Sequence, residues 1–129
     1  MVIDTSALLA IIFLEPEARH FARLIQAASK PLLSAANLLE ASILIESRRG
    51  IAKRELFDAF VDEAGIRIEP VTRAQVLIAR DAYRRFGKGK HPAGLNFGDC
   101  FAYALATERN LPLLFKGDDF PQTDLHPAL

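Results

Sequence analysis

With 129 residues, half of them hydrophobic and a quarter charged, the chain is long enough for one compact domain with a sizeable core and too apolar to be disordered. Lys plus Arg (16) balance Asp plus Glu (16), which excludes an overall field drawing the protein to nucleic acid or to an anionic membrane. The single cysteine, Cys100, excludes an internal disulfide and a Cys-rich zinc site and fits a reducing compartment, the cytoplasm.

Met1-Val2-Ile3 is a short apolar run that stops at Asp4-Thr5, as a buried strand ending at a polar edge does. Ala7 to Leu14 is helix-compatible. It could pass for the core of a signal peptide, but the charge ahead of it is acidic (Asp4) and Glu15 and Glu17 follow. It also falls short of the about 20 apolar residues that cross a bilayer, so neither export signal nor membrane span is expected. From Glu15-Pro16-Glu17, the positions Phe21, Leu24, Ile25 and Ala28 recur at helical spacing. Pro31-Leu32-Leu33 reads as a second strand, and Ser34 to Arg49 as a helix ending at Gly50. The following helix carries Leu56, Phe57, Phe60 and Val61 on one face. Ile66 to Val71 is the third strand, and Thr72-x-x-Gln75 is a capping box opening a helix whose inward positions are Val76, Ala79, Tyr83 and Phe86. Gly87 to Pro92 breaks that helix. Phe97 to Asn110 is helical, Pro112 to Phe115 a strand, Gly117-Asp118-Asp119 a turn, and the tail a short edge strand. Strands alternating with helices, with no repeat and no linker, predict a single α/β domain over residues 1–129, a parallel sheet covered on both faces. Ligands of such sheets bind beyond the carboxyl ends of the strands, where strand order reverses.

The acids at those ends each admit an ordinary reading. Asp4 would cap the next helix, Asp99 would compensate the dipole of its own, and Asp118 and Asp119 are common turn residues. Asn37-x-x-Glu40 imitates a capping box. Ser34 is the better start signal, however, which leaves Glu40 inside the helix on a face with Ala36, Ile43 and Leu44, where an unpaired carboxylate is costly. All five acids map to one edge of the sheet, with strands one and four delivering Asp4 and Asp118/Asp119 side by side. Such a cluster requires a cation, and all-oxygen donors without Cys or His at ligand spacing select Mg²⁺ or Mn²⁺. His20, His91 and His126 are scattered.

Four motifs carry a family resemblance: Val2-Ile3-Asp4-Thr5-Ser6-Ala7, Ser34-Ala35-x-x-Leu38-x-Glu40, Leu95-Asn96-Phe97-Gly98-Asp99-Cys100, and Leu113-Leu114-Phe115-Lys116-Gly117-Asp118-Asp119-Phe120. In this order and spacing they resemble the PIN-domain ribonucleases, specifically the VapC-type toxins, over essentially the whole chain. The resemblance implies a three-layer α/β/α sandwich with a central parallel sheet and Mg²⁺-dependent endoribonuclease chemistry (Mn²⁺ substituting). A metal-activated water would leave a 5′-phosphate and a 3′-hydroxyl. Asp4 and Asp99 would be the principal metal ligands, Glu40 a ligand or water-orienting acid, and a fourth acid would come from the last motif. Many relatives carry Asn where Asp118 stands, which favours Asp119 while leaving Asp118 open. Thr5 and Ser6 would hold Asp4 by hydrogen bonds. The implied partners are RNA, a cognate antitoxin and a second copy of the chain.

RNA must reach an acidic site on a protein of zero net charge. Lys88, Lys90, His91, Arg48, Arg49, Lys53, Arg54 and Lys116 are the candidate basic rim. Two rival enzyme and signalling readings fail on single residues. A haloacid-dehalogenase-like phosphatase needs a second Asp where Ser6 stands, and a receiver domain needs an Asp where the middle strand ends in Ser34. An inactive PIN fold used as a binding module is opposed by the retention of every acid.

Overall fold

The computed structural model describes residues 1–128. The strands β1 (Val2–Ile3), β2 (Leu32–Ser34), β3 (Arg67–Glu69) and β4 (Leu113–Leu114) form one sheet in the order β3-β2-β1-β4, every neighbour pair parallel. Val2 lies opposite both Leu32 and Leu113, and Ser34 opposite Glu69. Around the sheet run α1 (Thr5–Ile12), α2 (Ala18–Ala27), α3 (Ala35–Arg49), α4 (Ile51–Glu63), α5 (Arg73–Phe86) and α6 (Phe97–Arg109).

The strands are short, yet their alternation builds two cores. Ile3, Leu33 and Leu114 point to one face, where they pack with Ala7, Leu8, Ile25, Ala41, Ile45 and Phe57 from α1 to α4. Val2, Leu32 and Leu113 point to the other, against Ala82, Cys100, Tyr103, Leu105 and Ala106 from α5 and α6. Side chains of period two therefore hold helices on both faces, and the result is the expected three-layer sandwich.

Local departures from the sequence expectations have physical reasons. In α5 the buried positions are Gln75 and Ala82, while Val76 and Tyr83 are exposed (44% and 38%), because this helix packs through its small residues onto α6. Thr72 caps α5 by accepting from the Gln75 N–H, but the Gln75 side chain donates to Glu108 across the helix pair, so the box is closed on one side only. In α4, Phe57 and Val61 are buried and Leu56 lies exposed. The tail makes one parallel bridge, Leu113 to Pro127, rather than a strand. Among the described residues no helix is long and apolar enough to cross a membrane.

Candidate active site

The sheet order places β1 between β2 and β4, so the chain reverses its direction of winding beside β1, and the crevice at that reversal is where α/β sheets bind ligands. Asp4 follows β1 directly, and its backbone N–H donates to Leu114 of β4 at 2.9 Å. The residue fulfils its ordinary reading as well: its Oδ2 caps α1, accepting from the Ser6 N–H at 3.0 Å and from the Ser6 hydroxyl at 2.6 Å. The Ser6 Oγ in turn accepts from the backbone N–H of Lys116 at 2.9 Å, tying the loop after β4 to the loop after β1. Asp4 Oδ1 is buried and has no hydrogen-bond partner among the described residues. Capping thus occupies one oxygen and leaves the other free.

Asp99 stands in the first turn of α6 in a full capping box, its Oδ2 accepting from the Asn96 N–H and Asn96 Oδ1 accepting from the Asp99 N–H. Glu40 projects from α3, half-buried, between Asn37 and Gly98. Its surroundings correct one expectation. The stripe of Ala36, Ile43 and Leu44 does not face the core but lines an open groove with Leu39, Phe97, Gly98 and Phe101, and Ile43 is 54% exposed. Glu40 therefore sits at a solvent-reached rim, where a charge is tolerable. Asp118 and Asp119 are exposed in the loop after β4.

Electrostatics define which acids act together. Asp4 is pushed up from its ordinary 3.8 to about 7, first by burial and further by the charges of Asp99 and Glu40, against the two Ser6 hydrogen bonds that hold it down. Asp99 is raised to about 6, first by burial, opposed by the Asn96 N–H, and further by Asp119 and Glu40. Asp99 and Glu40 thus act on Asp4, and Asp119 and Glu40 act on Asp99, while Asp118 is not among the charges acting on either. The four are coupled without being drawn together: among the described residues no three Asp, Glu, His or Cys side chains are gathered closely enough to form a ready metal shell. The donor chemistry nonetheless fits a hard divalent cation. A buried carboxylate oxygen lacking any donor is an open ligand, and the acids around it supply only oxygen.

The basic candidates divide. Lys116 is adjacent to the site through Ser6, but its ammonium pairs with Glu15 and Glu17. Lys88 lines a groove of about 670 Å³ between α5 and α6 together with Asn96 and Phe97, and Lys90 lies over the Tyr83 ring at 5.2 Å. His91 Nδ1 accepts from the Ala93 N–H, which shapes the loop. Arg48 and Arg49 stack over Phe13, about 12 Å beyond Glu40 at the helical rise, and Lys53 borders the same surface. Arg54 is paired with Glu46 and Asp58. Of these, Lys116 is tied to Asp4 by its backbone N–H through Ser6, and Lys88 shares a groove with Asn96, the hydrogen-bond partner of Asp99.

Sequence reasoning passed over Asn37, noted only as an imitation of a cap, and Gly98 and Asn96, noted only inside a motif. An Asn one turn ahead of an acid inside a helix was the available signal for the first.

The PIN domain model matches residues 1–125. The chain is 46% identical over 130 residues to Ribonuclease VapC28 of Mycobacterium tuberculosis, covering 100% of this chain and 98% of that protein. It is 46% identical over 125 residues to Ribonuclease VapC of Mycolicibacterium smegmatis, covering 97% of each. Among solved structures, that of Mycobacterium tuberculosis VapC20, described as a sarcin-ricin loop cleaving toxin, superposes with a TM-score of 0.75 at 19% identity, covering 98% of both chains, which speaks to the fold.

Proposed function

Since the chain belongs to the PIN-domain family, within its VapC ribonucleases, we propose that it cleaves RNA at the crevice between β1 and β4 through Asp4, Glu40, Asp99 and Asp119 around a divalent cation. The protein is an endoribonuclease toxin of a toxin–antitoxin pair. A phosphatase of the haloacid-dehalogenase type is not favoured, because the whole chain aligns with VapC ribonucleases. The observation that carries the site is the free, buried Oδ1 of Asp4, surrounded by the fields of Glu40 and Asp99.

Asp4, Asp99 and Glu40 are the residues that would hold Mg²⁺ or Mn²⁺, with Asp119 at the outer side. The bound ion would supply an activated water and offset charge on the leaving oxygen. Around it the chain's own groups have distinct tasks. Ser6 holds Asp4 by its second oxygen, so that Oδ1 keeps one direction. Asn96 holds Asp99 in the same way. Lys88, in the groove beside the Asp99 partner Asn96, would draw the phosphodiester backbone to a site whose acids would otherwise repel it. Because its substrate is RNA, the cytoplasm is the proposed place of action.

The second copy expected of this family has a fitting surface. Leu39 and Ile43 of α3, Phe97 and Phe101 at the head of α6 and Val76 and Tyr83 of α5 make a largely apolar face, with Leu39 61% and Phe97 70% exposed. We infer a homodimer through this face, which would set two active sites near one seam.

The test is cleavage of a panel of purified RNAs with Mg²⁺ or Mn²⁺, followed by mapping of the ends. Cuts bearing 5′-phosphate, lost in EDTA and in Asp99→Asn, support the reading. Undiminished cleavage by Asp99→Asn refutes it.

A further inference from the structure

We propose that Asn37 is a positioning residue of the cleavage site, setting where the Glu40 carboxylate stands relative to Asp4 and Asp99. The inference rests on the metal-site reading of Glu40 given above.

Asn37 lies in the first turn of α3, fully buried, one turn ahead of Glu40. Its Nδ2 donates to Glu40 Oε1 at 3.3 Å and to the backbone carbonyl of Gly98 at 3.0 Å. Both amide hydrogens are therefore spent on groups that can only accept, and the reversed amide would set an oxygen against a carboxylate and a carbonyl. Asn37 Oδ1 consequently faces away, buried and without a partner among the described residues. Packing alone does not account for this side chain, since an apolar residue would fill the space and leave no orphaned acceptor.

The other jaw of the clasp is Gly98. A Cβ there would lie 2.1 Å from Glu40 Oε2, so the carboxylate rests directly against the backbone next to Asp99. The Asn37 carbonyl also accepts from the Thr5 hydroxyl at 3.4 Å, which joins the same turn of α3 to the residue after Asp4. Glu40 is a long side chain at an open rim, repelled by Asp4 and Asp99. Without the amide donor it would swing outward along the groove of Leu39 and Ile43. Asn37 thus acts through Glu40 and touches no substrate.

Two variants probe the clasp from its two sides. Asn37→Ala removes the donor. Gly98→Ala pushes on the far end of a flexible side chain, which can move aside, so it displaces Glu40 while the fold persists. Each should lower kcat for RNA cleavage about 10- to 100-fold with KM unchanged, the range for residues that orient a metal ligand. Each should also raise by about tenfold the Mn²⁺ concentration that gives half of the full melting-temperature rise. In a Glu40→Gln background neither should reduce cleavage further, because the residue they act through has already lost its charge. Wild-type Mn²⁺ half-saturation in folded Asn37→Ala, or losses that multiply with Glu40→Gln, would overturn the role of Asn37, and the same result in Gly98→Ala would overturn the part given to Gly98. A wild-type protein whose melting ignores Mn²⁺ would instead overturn the metal reading beneath it. Should Asn37→Ala fail to fold, the near-isosteric Asn37→Leu, which also removes the donor, decides in the same measurements.

Discussion

Asp99 and Asn96 hydrogen-bond one another in both directions, each side-chain oxygen accepting from the other's backbone N–H at 2.9 Å. The pair starts α6 and at the same time aims a carboxylate at the crevice beside Asp4. Asp99→Asn separates the two tasks, because an amide oxygen still accepts from the Asn96 N–H while the ligand charge disappears. Cleavage should fall by about two orders of magnitude or more, since a bound metal contributes several kcal/mol of charge stabilisation. Melting in EDTA should stay at the wild-type value or rise, as one of the mutually repelling acids is gone. A variant that loses activity only because it unfolds would show a depressed melting temperature instead.

The two acids after β4 should part company. Asp119 acts on Asp99 through its charge, whereas Asp118 turns its backbone carbonyl to the Gln122 amide at 3.1 Å and is not among the charges raising Asp99. Asp119→Asn should reduce cleavage about tenfold or more and blunt the melting response to Mn²⁺, and Asp118→Asn should leave both near wild type. The opposite ranking in a side-by-side assay would assign the outer position to Asp118.

For the apolar face of α3, α5 and α6 the expected outcome is a dimer of the wild-type chain by light scattering. Ile43→Asp, half-exposed on that face, should dissociate it by about a hundredfold or more, because a buried charge without a partner costs several kcal/mol. A wild-type chain that is monomeric at tens of micromolar would remove this surface from consideration.

Fold class was legible because three of the four strands, β1, β2 and β4, are almost purely apolar and the helices between them have clear caps, Ser34 and Thr72 among them, whereas β3, Arg67-Ile68-Glu69, is mostly charged. Asp4, Asp99 and the pair Asp118 and Asp119 stood out for a related reason, since each lies beside an element end that pattern alone locates, whereas Glu40 lies inside α3 and stood out only as an acid on an apolar stripe. What pattern could not show is the use to which a face is put. Val76 and Tyr83 fit helical spacing for a core, yet tertiary packing selected the small Ala82, and the apolar stripe carrying Glu40 turned out to line a groove. Asn37 was hidden differently. Its role depends on Gly98, sixty-one positions away, and no local window contains that contact.

The last prediction follows from the acids' protonation. Asp4 is raised from 3.8 to about 7 and Asp99 from 3.8 to about 6, so the metal-free folded protein binds protons more tightly than the unfolded chain does. Stability then falls as pH rises, because the native state holds the extra protons. The contribution is complete below about pH 4 and is lost by about pH 7, the window between the ordinary and the raised values. In EDTA the melting temperature should therefore drop by several degrees between pH 5 and 7, and Asp4→Asn should flatten the drop. Saturating Mn²⁺ should reverse the trend, since metal and proton compete for the same oxygens and the ion binds better as the acids ionise. At roughly a hundred times its dissociation constant the metal adds about 2.7 kcal/mol, on the order of 10 °C for a domain of this size. A melting temperature in EDTA that is flat or rising over this range, with Asp4→Asn indistinguishable from wild type, would show that these carboxyls are not held protonated by the fold.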